Sequence, residues 1–201
     1  NCSSTWTSCV RLAFGASYNI LVNNTVHSNE AGCDIDTGAN RNILLNNTII
    51  ANLYALNLND AHNNNISYTQ IRGHSHAVSI YSSSNNSFVK NNVSSGANNP
   101  AVYLDTSNNN SFKENIINGS TNGIHIRLCS NNSFTSNMIL GVNATLYINS
   151  SSNNYFFNNT VSSTNSYSVY VYSSSYNTFS NNSITSITRD GIYLQAASNN
   201  T

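Results

Sequence analysis

The chain has 201 residues and carries little charge: seven Lys+Arg against seven Asp+Glu give a formal net charge of zero. Nothing in that balance steers nucleic acid or an anionic membrane surface toward it. The 42 Asn and 34 Ser favour turns and caps over helix interiors, which excludes a helical protein, and no apolar run reaches the ~18 residues of a membrane span. The chain opens at Asn1 with no basic and apolar leader and reads as a mature form or a fragment.

Taken in chain order, the first strand pattern is Val10-x-Leu12, and a fixed repeat follows it. An apolar anchor falls at Leu21, Leu44, Ile66, Phe88, Phe112, Phe134, Phe156 and Phe179, spaced by 22 to 24 residues. Two residues before each anchor stand Asn19, Asn42, Asn64, Asn86, Asn110, Asn132, Asn154 and Asn177. Three residues after it come Asn24, Asn47, Thr69, Asn91, Asn115, Asn137, Asn159 and Asn182, with Thr69 the one departure, and two further on an aliphatic residue from Val26 to Ile184. The second half of each repeat is a small residue followed by apolar-x-apolar, as in Ala77-Val78-Ser79-Ile80 and Gly191-Ile192-Tyr193-Leu194. Such alternation predicts a strand with one buried face. The phase persists to Asn200, so the chain holds about nine turns of one unit.

A unit of about 22 residues with strand patterns and no helix cannot bury its own apolar face and must stack on copies of itself. The expected fold is an all-β parallel solenoid of about nine coils, a single domain over residues 1–201 with no obvious caps. The motif Asn-Asn-Ser-Phe-x-x-Asn-x-Ile, with Gly-Ile-x-Leu and Ser-Ser-Asn-Asn after it, resembles the right-handed parallel β-helix repeats of the pectate-lyase-like superfamily. It is similar above all to the Asn-rich repeats of periplasmic copper-reductase accessory proteins and of archaeal surface and sheath proteins. The resemblance implies the fold across essentially the whole chain. It does not imply one activity, because lyases, hydrolases, adhesins and structural coats share the repeat.

Stacked coils lie about 4.8 Å apart, so like residues form columns. The eight Asn that precede the anchors are read as a structural ladder passing hydrogen bonds along the axis, and the Phe anchors as a core stack. Five residues before each anchor the side chain is always small (Ala16, Ala39, Ala61, Ser83, Ser107, Cys129, Ser151, Ser174 and, before the expected next anchor, Ala197), which predicts a corner with no room for more. Among the four cysteines, one bridge within Cys2, Cys9 and Cys33 satisfies the Cα limit of roughly 7 Å, and their pairing stays open. Cys129 lies about four coils from Cys33, so it is either a small buried thiol or the site of an intermolecular bond. Of the many Asn-x-Ser/Thr triplets, Asn118 and Asn143 stand away from the ladder columns and are the candidate glycan acceptors.

For chemistry, the sequence offers one carboxylate cluster: Asp34 and Asp36 outward on one coil, Asp60 and His62 at nearly the same phase on the next, with no basic residue of matching phase beside them. The runs Arg72, His74, His76 and His125, Arg127 alternate outward without a third metal ligand in phase. No metal and no cofactor is expected. The sequence therefore predicts a protein that is not an enzyme, secreted or in the cell envelope, associating head to tail and laterally with itself as a sheath, coat or surface layer. The alternative is an extracellular β-helix that binds or cleaves carbohydrate, with Asp34, Asp36, Asp60 and His62 as its site and cell-surface glycans as partners.

Overall fold

The computed structural model describes residues 1–5 and 7–201. Its strands form three parallel sheets in which each strand pairs with the strand one coil away. The first sheet has nine strands from Cys2–Ser4 to Ser183–Ser186, the second nine from Val10–Leu12 to Ile192–Gln195, and the third eight from Ile20–Val22 to Thr178–Ser180. Each coil visits the third sheet, the first and then the second. No helix of the described residues is long and apolar enough to cross a membrane.

Register between coils is one to one. Phe88 lies on Phe112, Phe112 on Phe134 and Phe134 on Phe156. Their rings stack inside the rod at 4.6 to 5.0 Å with interplanar angles of 4 to 10°. Inward aliphatics of the other two sheets, such as Ile117 and Ile126, close the core around them at 0% exposure.

The corners are built on left-handed residues. Every non-glycine residue with positive φ among the described residues lies in one of three corner columns, for example Thr106 (51°), Asn109 (56°) and Glu114 (56°) in one coil. A left-handed residue turns the chain and points the next side chain inward. That next residue's N–H then meets no sheet carbonyl. In two of the three columns an Asn side chain supplies the acceptor. The Asn64 N–H and its Nδ2 donate to Asn86 Oδ1 at 2.9 and 3.1 Å, while Nδ2 also reaches the Ala39 carbonyl at 3.2 Å. Asn132 repeats this with Asn154 Oδ1 and the Ser107 carbonyl. A second ladder runs from Asn24 to Asn182 on the same geometry, for example Asn115 to Asn137.

The small column does the same work with shorter groups. The N–H of Ala61 donates to Ser83 Oγ, Ser83 to Ser107 Oγ, Ser107 to Cys129 Sγ, Cys129 to Ser151 Oγ and Ser151 to Ser174 Oγ, at 2.9 to 3.2 Å. Lack of room is therefore not the whole account of this column. At Ala39 the corner carries an extra residue, Gly38 (φ 78°), and the Ala39 N–H closes a local turn onto the Asp36 carbonyl at 3.1 Å. No acceptor is needed from the next coil, so Ala61 there is sufficient. The switch from Ala to Ser and Cys after Ala61 follows the loss of that extra glycine, and the last member of the column, Ala197, returns to Ala without it.

Cys129 belongs to this chain of bonds: its thiol accepts from Ser107, donates to the Arg127 carbonyl at 2.9 Å and is 2% exposed. A sulfur so placed is closed to the intermolecular bond considered for it. Cys2 and Cys9 form a disulfide with Cα atoms 5.9 Å apart, and Cys33 is a buried free thiol. Asn118 and Asn143 are exposed.

Two stability outcomes follow. Asn132→Leu strands the Asn110 N–H, now 2.8 Å from Asn132 Oδ1, and the Ser107 carbonyl; the expected loss is about 1–3 kcal/mol, read as a melting temperature lower by several degrees. Thr69 accepts the Asn47 N–H at a longer 3.3 Å and has no amide to reach the preceding anchor's carbonyl, as Asn91 reaches that of Ile66. Thr69→Asn completes the second ladder and is expected to add about 0.5–1.5 kcal/mol. A variant that melts no higher than the parent would refute the ladder's energetic role at that corner.

Candidate functional site

The outward positions of the second sheet stack as strictly as the inward ones. Register runs from Ser79 to Tyr103, His125, Tyr147, Tyr170 and Tyr193, one residue per coil. Tyr54 and His76 extend the line from the edge of that sheet. Successive ring centroids from Tyr54 through His76, Tyr103, His125, Tyr147 and Tyr170 to Tyr193 are 4.6 to 5.6 Å apart. Strand spacing of about 4.8 Å places rings at the separation where offset and edge contacts are favourable. Tyr81 joins at Tyr103 (5.5 Å), and Tyr167 stacks on Tyr193 (4.6 Å). The rings are partly exposed, so the face is an open platform of about 30 Å along the rod rather than a pocket.

A polar centre flanks it in the next outward column. Asp105 Oδ2 takes Arg127 Nη1 at 2.7 Å and the Tyr103 hydroxyl at 3.3 Å, and Thr106 Oγ1 donates to Oδ1 at 3.0 Å. The Asp105 side chain is 14% exposed and that of Arg127 45%. On either side of Tyr103 lies a buried polar atom with no partner, Ser79 Oγ and His125 Nε2. Burial pushes His125 down to about 4, with Asp105 opposing and Arg127 and His76 reinforcing, and it lowers His76 as well. Both imidazoles are neutral at pH 7. Burial raises the hydroxyls of Tyr81 (to about 12), Tyr103, Tyr147 and Tyr170, so these stay protonated.

The carboxylates singled out in the sequence sit at the other end of the same face. Arg11 grips Asp36 through Nη2 (2.8 Å) and Nε (2.9 Å), which corrects the expectation that no basic residue of matching phase stands there. Arg11 pairs in register with Asp34 and reaches Asp36 diagonally, a contact the repeat phase did not display. Ser8 donates to Asp34. Asp60 lies one step past the strand in the corner, and His62 is built into the next corner, its Nδ1 accepting the Ser84 N–H at 3.0 Å while Nε2 is 3.4 Å from Asp60. Arg72 and His74 line a separate hollow of about 260 Å³ with Ile50 and Gly96.

Sequence reading missed the aromatic line and Asp105. The signal was present: Tyr103, His125, Tyr147, Tyr170 and Tyr193 recur at 22 or 23 residues, each the middle residue of apolar-x-apolar. Asp105 and Arg127 recur at 22 in the next outward column.

Matches to known proteins agree with the fold. The profile of the family described as right handed beta helix region covers residues 1–117, and that of the periplasmic copper-binding protein NosD covers residues 95–201. No curated protein matches the sequence. Among solved structures, DFA-IIIase from Arthrobacter chlorophenolicus without its lid superposes with a TM-score of 0.70 at 13% identity, over 88% of this chain and 55% of that one. A mutant of the periplasmic alginate epimerase AlgG superposes with a TM-score of 0.61 at 14% identity, over 97% of this chain and 42% of that one. The chain thus spans about half the length of these structures. At such identity they share the fold. Both are enzymes that process carbohydrates, which corrects the expectation that a coil stack this regular is not an enzyme: the same architecture carries catalysis.

The donor set does not fit a copper centre. Among the described residues no three of His, Cys, Asp and Glu converge. Burial pushes the Cys33 thiol up to about 12 and that of Cys129 up to about 11, away from the thiolate a metal would need. Tyr103 stands between His76 and His125 in the stack.

His125 makes the site's pH dependence testable. Its pKa is lowered from the ordinary 6.5 to about 4 in the folded chain, so the unfolded chain binds the proton first. Stability from this group is fully present above pH ~6.5 and falls as pH drops toward ~4. His125→Phe keeps a ring between Tyr103 and Tyr147 and removes the unpartnered nitrogen; it should melt higher at pH 7 by a few degrees and show a shallower acid-side fall. An unchanged acid-side slope would count against the burial of His125.

Proposed function

The chain belongs to the right-handed β-helix family and, over its C-terminal half, to the NosD family, and from this premise we propose that it binds carbohydrate, laying a glycan chain along the outer face of its second sheet. The observation that carries the reading is the unbroken line of outward rings from Tyr54 to Tyr193. Sugar rings present C–H faces that pack on aromatic faces, and their hydroxyls find Tyr hydroxyls, Asn149 and the Asp105–Arg127 pair alongside. A flat platform suits a long chain better than a small molecule, which a concave site would enclose. Carbohydrate-processing enzymes on the same fold support the ligand class.

A sheath or coat would use the outer surface for contact between copies. The concentration of rings on one of three faces, around a single polar centre, favours a ligand instead. An envelope or extracellular location accords with the Cys2–Cys9 disulfide and with the periplasmic NosD and AlgG.

Calorimetric titration with soluble polysaccharides tests the proposal. The parent protein is expected to bind, and Tyr147→Ala with Tyr170→Ala to weaken binding at least about tenfold, or ~1.4 kcal/mol. Absence of binding, or a double variant with unchanged affinity, would overturn it.

A further inference from the structure

Resting on that carbohydrate reading, we propose that the glycan is uncharged, and that the Asp105–Arg127 pair is its polar contact at the centre of the platform. From Asn57 to Gln195 the outward positions of the second sheet hold one carboxylate, Asp105, and one guanidinium, Arg127. The two are bound to each other at 2.7 Å. The imidazoles and phenols around them are neutral at pH 7, so the platform has no net charge.

An acidic chain needs a cation for each carboxylate it buries against the protein, and a guanidinium does this best when its fork is free. None is free here. Arg11, the other cation of the second sheet, is committed to Asp36. Arg189, on the loop leading into the last strand, donates to the Tyr167 hydroxyl at 3.2 Å, and Asp190 follows it. Where the face does carry surplus charge it is negative: Asp34, Asp36 and Asp60 outnumber Arg11 at its N-terminal end, which repels a polyanion threaded along the rod. A neutral sugar meets no such cost. A pair of its hydroxyls can donate to Asp105 and accept from the guanidinium N–H groups that Asp105 leaves unused.

The experiment compares uncharged chains (a β-glucan, a galactomannan and a fructan) with alginate and polygalacturonate, by calorimetry on the parent protein at low and high ionic strength. An uncharged chain is expected to bind at least about tenfold tighter than either polyuronate, with affinity that changes less than about twofold with salt. Tighter binding of a polyuronate, weakening as salt rises, would overturn this inference and leave the carbohydrate reading standing. Binding to neither set overturns both. Asp105→Asn with Arg127→Gln removes the pair without changing net charge and should weaken the uncharged chain at least about fivefold; an unchanged affinity, in a variant that melts as the parent does, would overturn the assignment of the pair.

Discussion

The structure depends on one constraint: at each corner the chain turns through a left-handed residue and leaves an inward N–H without a sheet carbonyl. A buried donor with no partner costs about as much as a hydrogen bond is worth, and the rod has such a donor at nearly every corner of every coil. The acceptor comes from the neighbouring coil, as Asn86 Oδ1 serves Asn64 and Cys129 Sγ serves Ser107. The bond that satisfies the corner is therefore also the bond that fixes the neighbour. Local turn chemistry and long-range stacking are one interaction here, which is why a chain with so little charge and so many amides folds at all.

Locked register has a consequence on the outside. Once Phe112 must lie between Phe88 and Phe134, every outward residue is set above and below its own counterpart. The outward column of the second sheet then changes along the rod from Arg11 and Asp34 through Asn57 and Ser79 to Tyr103, His125 and three further tyrosines. None of these changes touches the core. The scaffold separates the residues that hold the fold from those that face outward, and a continuous outer face arises by repeating one outward position.

That separation also explains why similarity in fold says little about chemistry. This chain superposes on carbohydrate-processing enzymes at 13 and 14% identity, and it belongs to a family named for copper binding while, among the described residues, its buried sulfurs and dispersed imidazoles do not assemble a copper site. The reading of function rests on the outward columns, with their rings and balanced charge.

The sequence by itself determined the period, the parallel stacking, the Phe core and the Asn positions, because each is a demand repeated in every coil and repetition is visible without coordinates. It also hid part of what it contained. The column of Ala, Ser and Cys looked like a matter of size, whereas from Ser83 to Ser174 a hydroxyl or thiol accepts the corner N–H of the coil before it. The carboxylates Asp34, Asp36 and Asp60 drew attention because they cluster in number, yet Asp36 is held by an arginine two positions off its register partner. Only the tertiary structure decided that Tyr54 and His76, from outside the regular column, complete the aromatic line, and that Tyr103 and Arg127 converge on Asp105. Those contacts depend on rotamers and diagonal neighbours across coils, and periodicity along the chain fixes which face a side chain takes without fixing what it touches there.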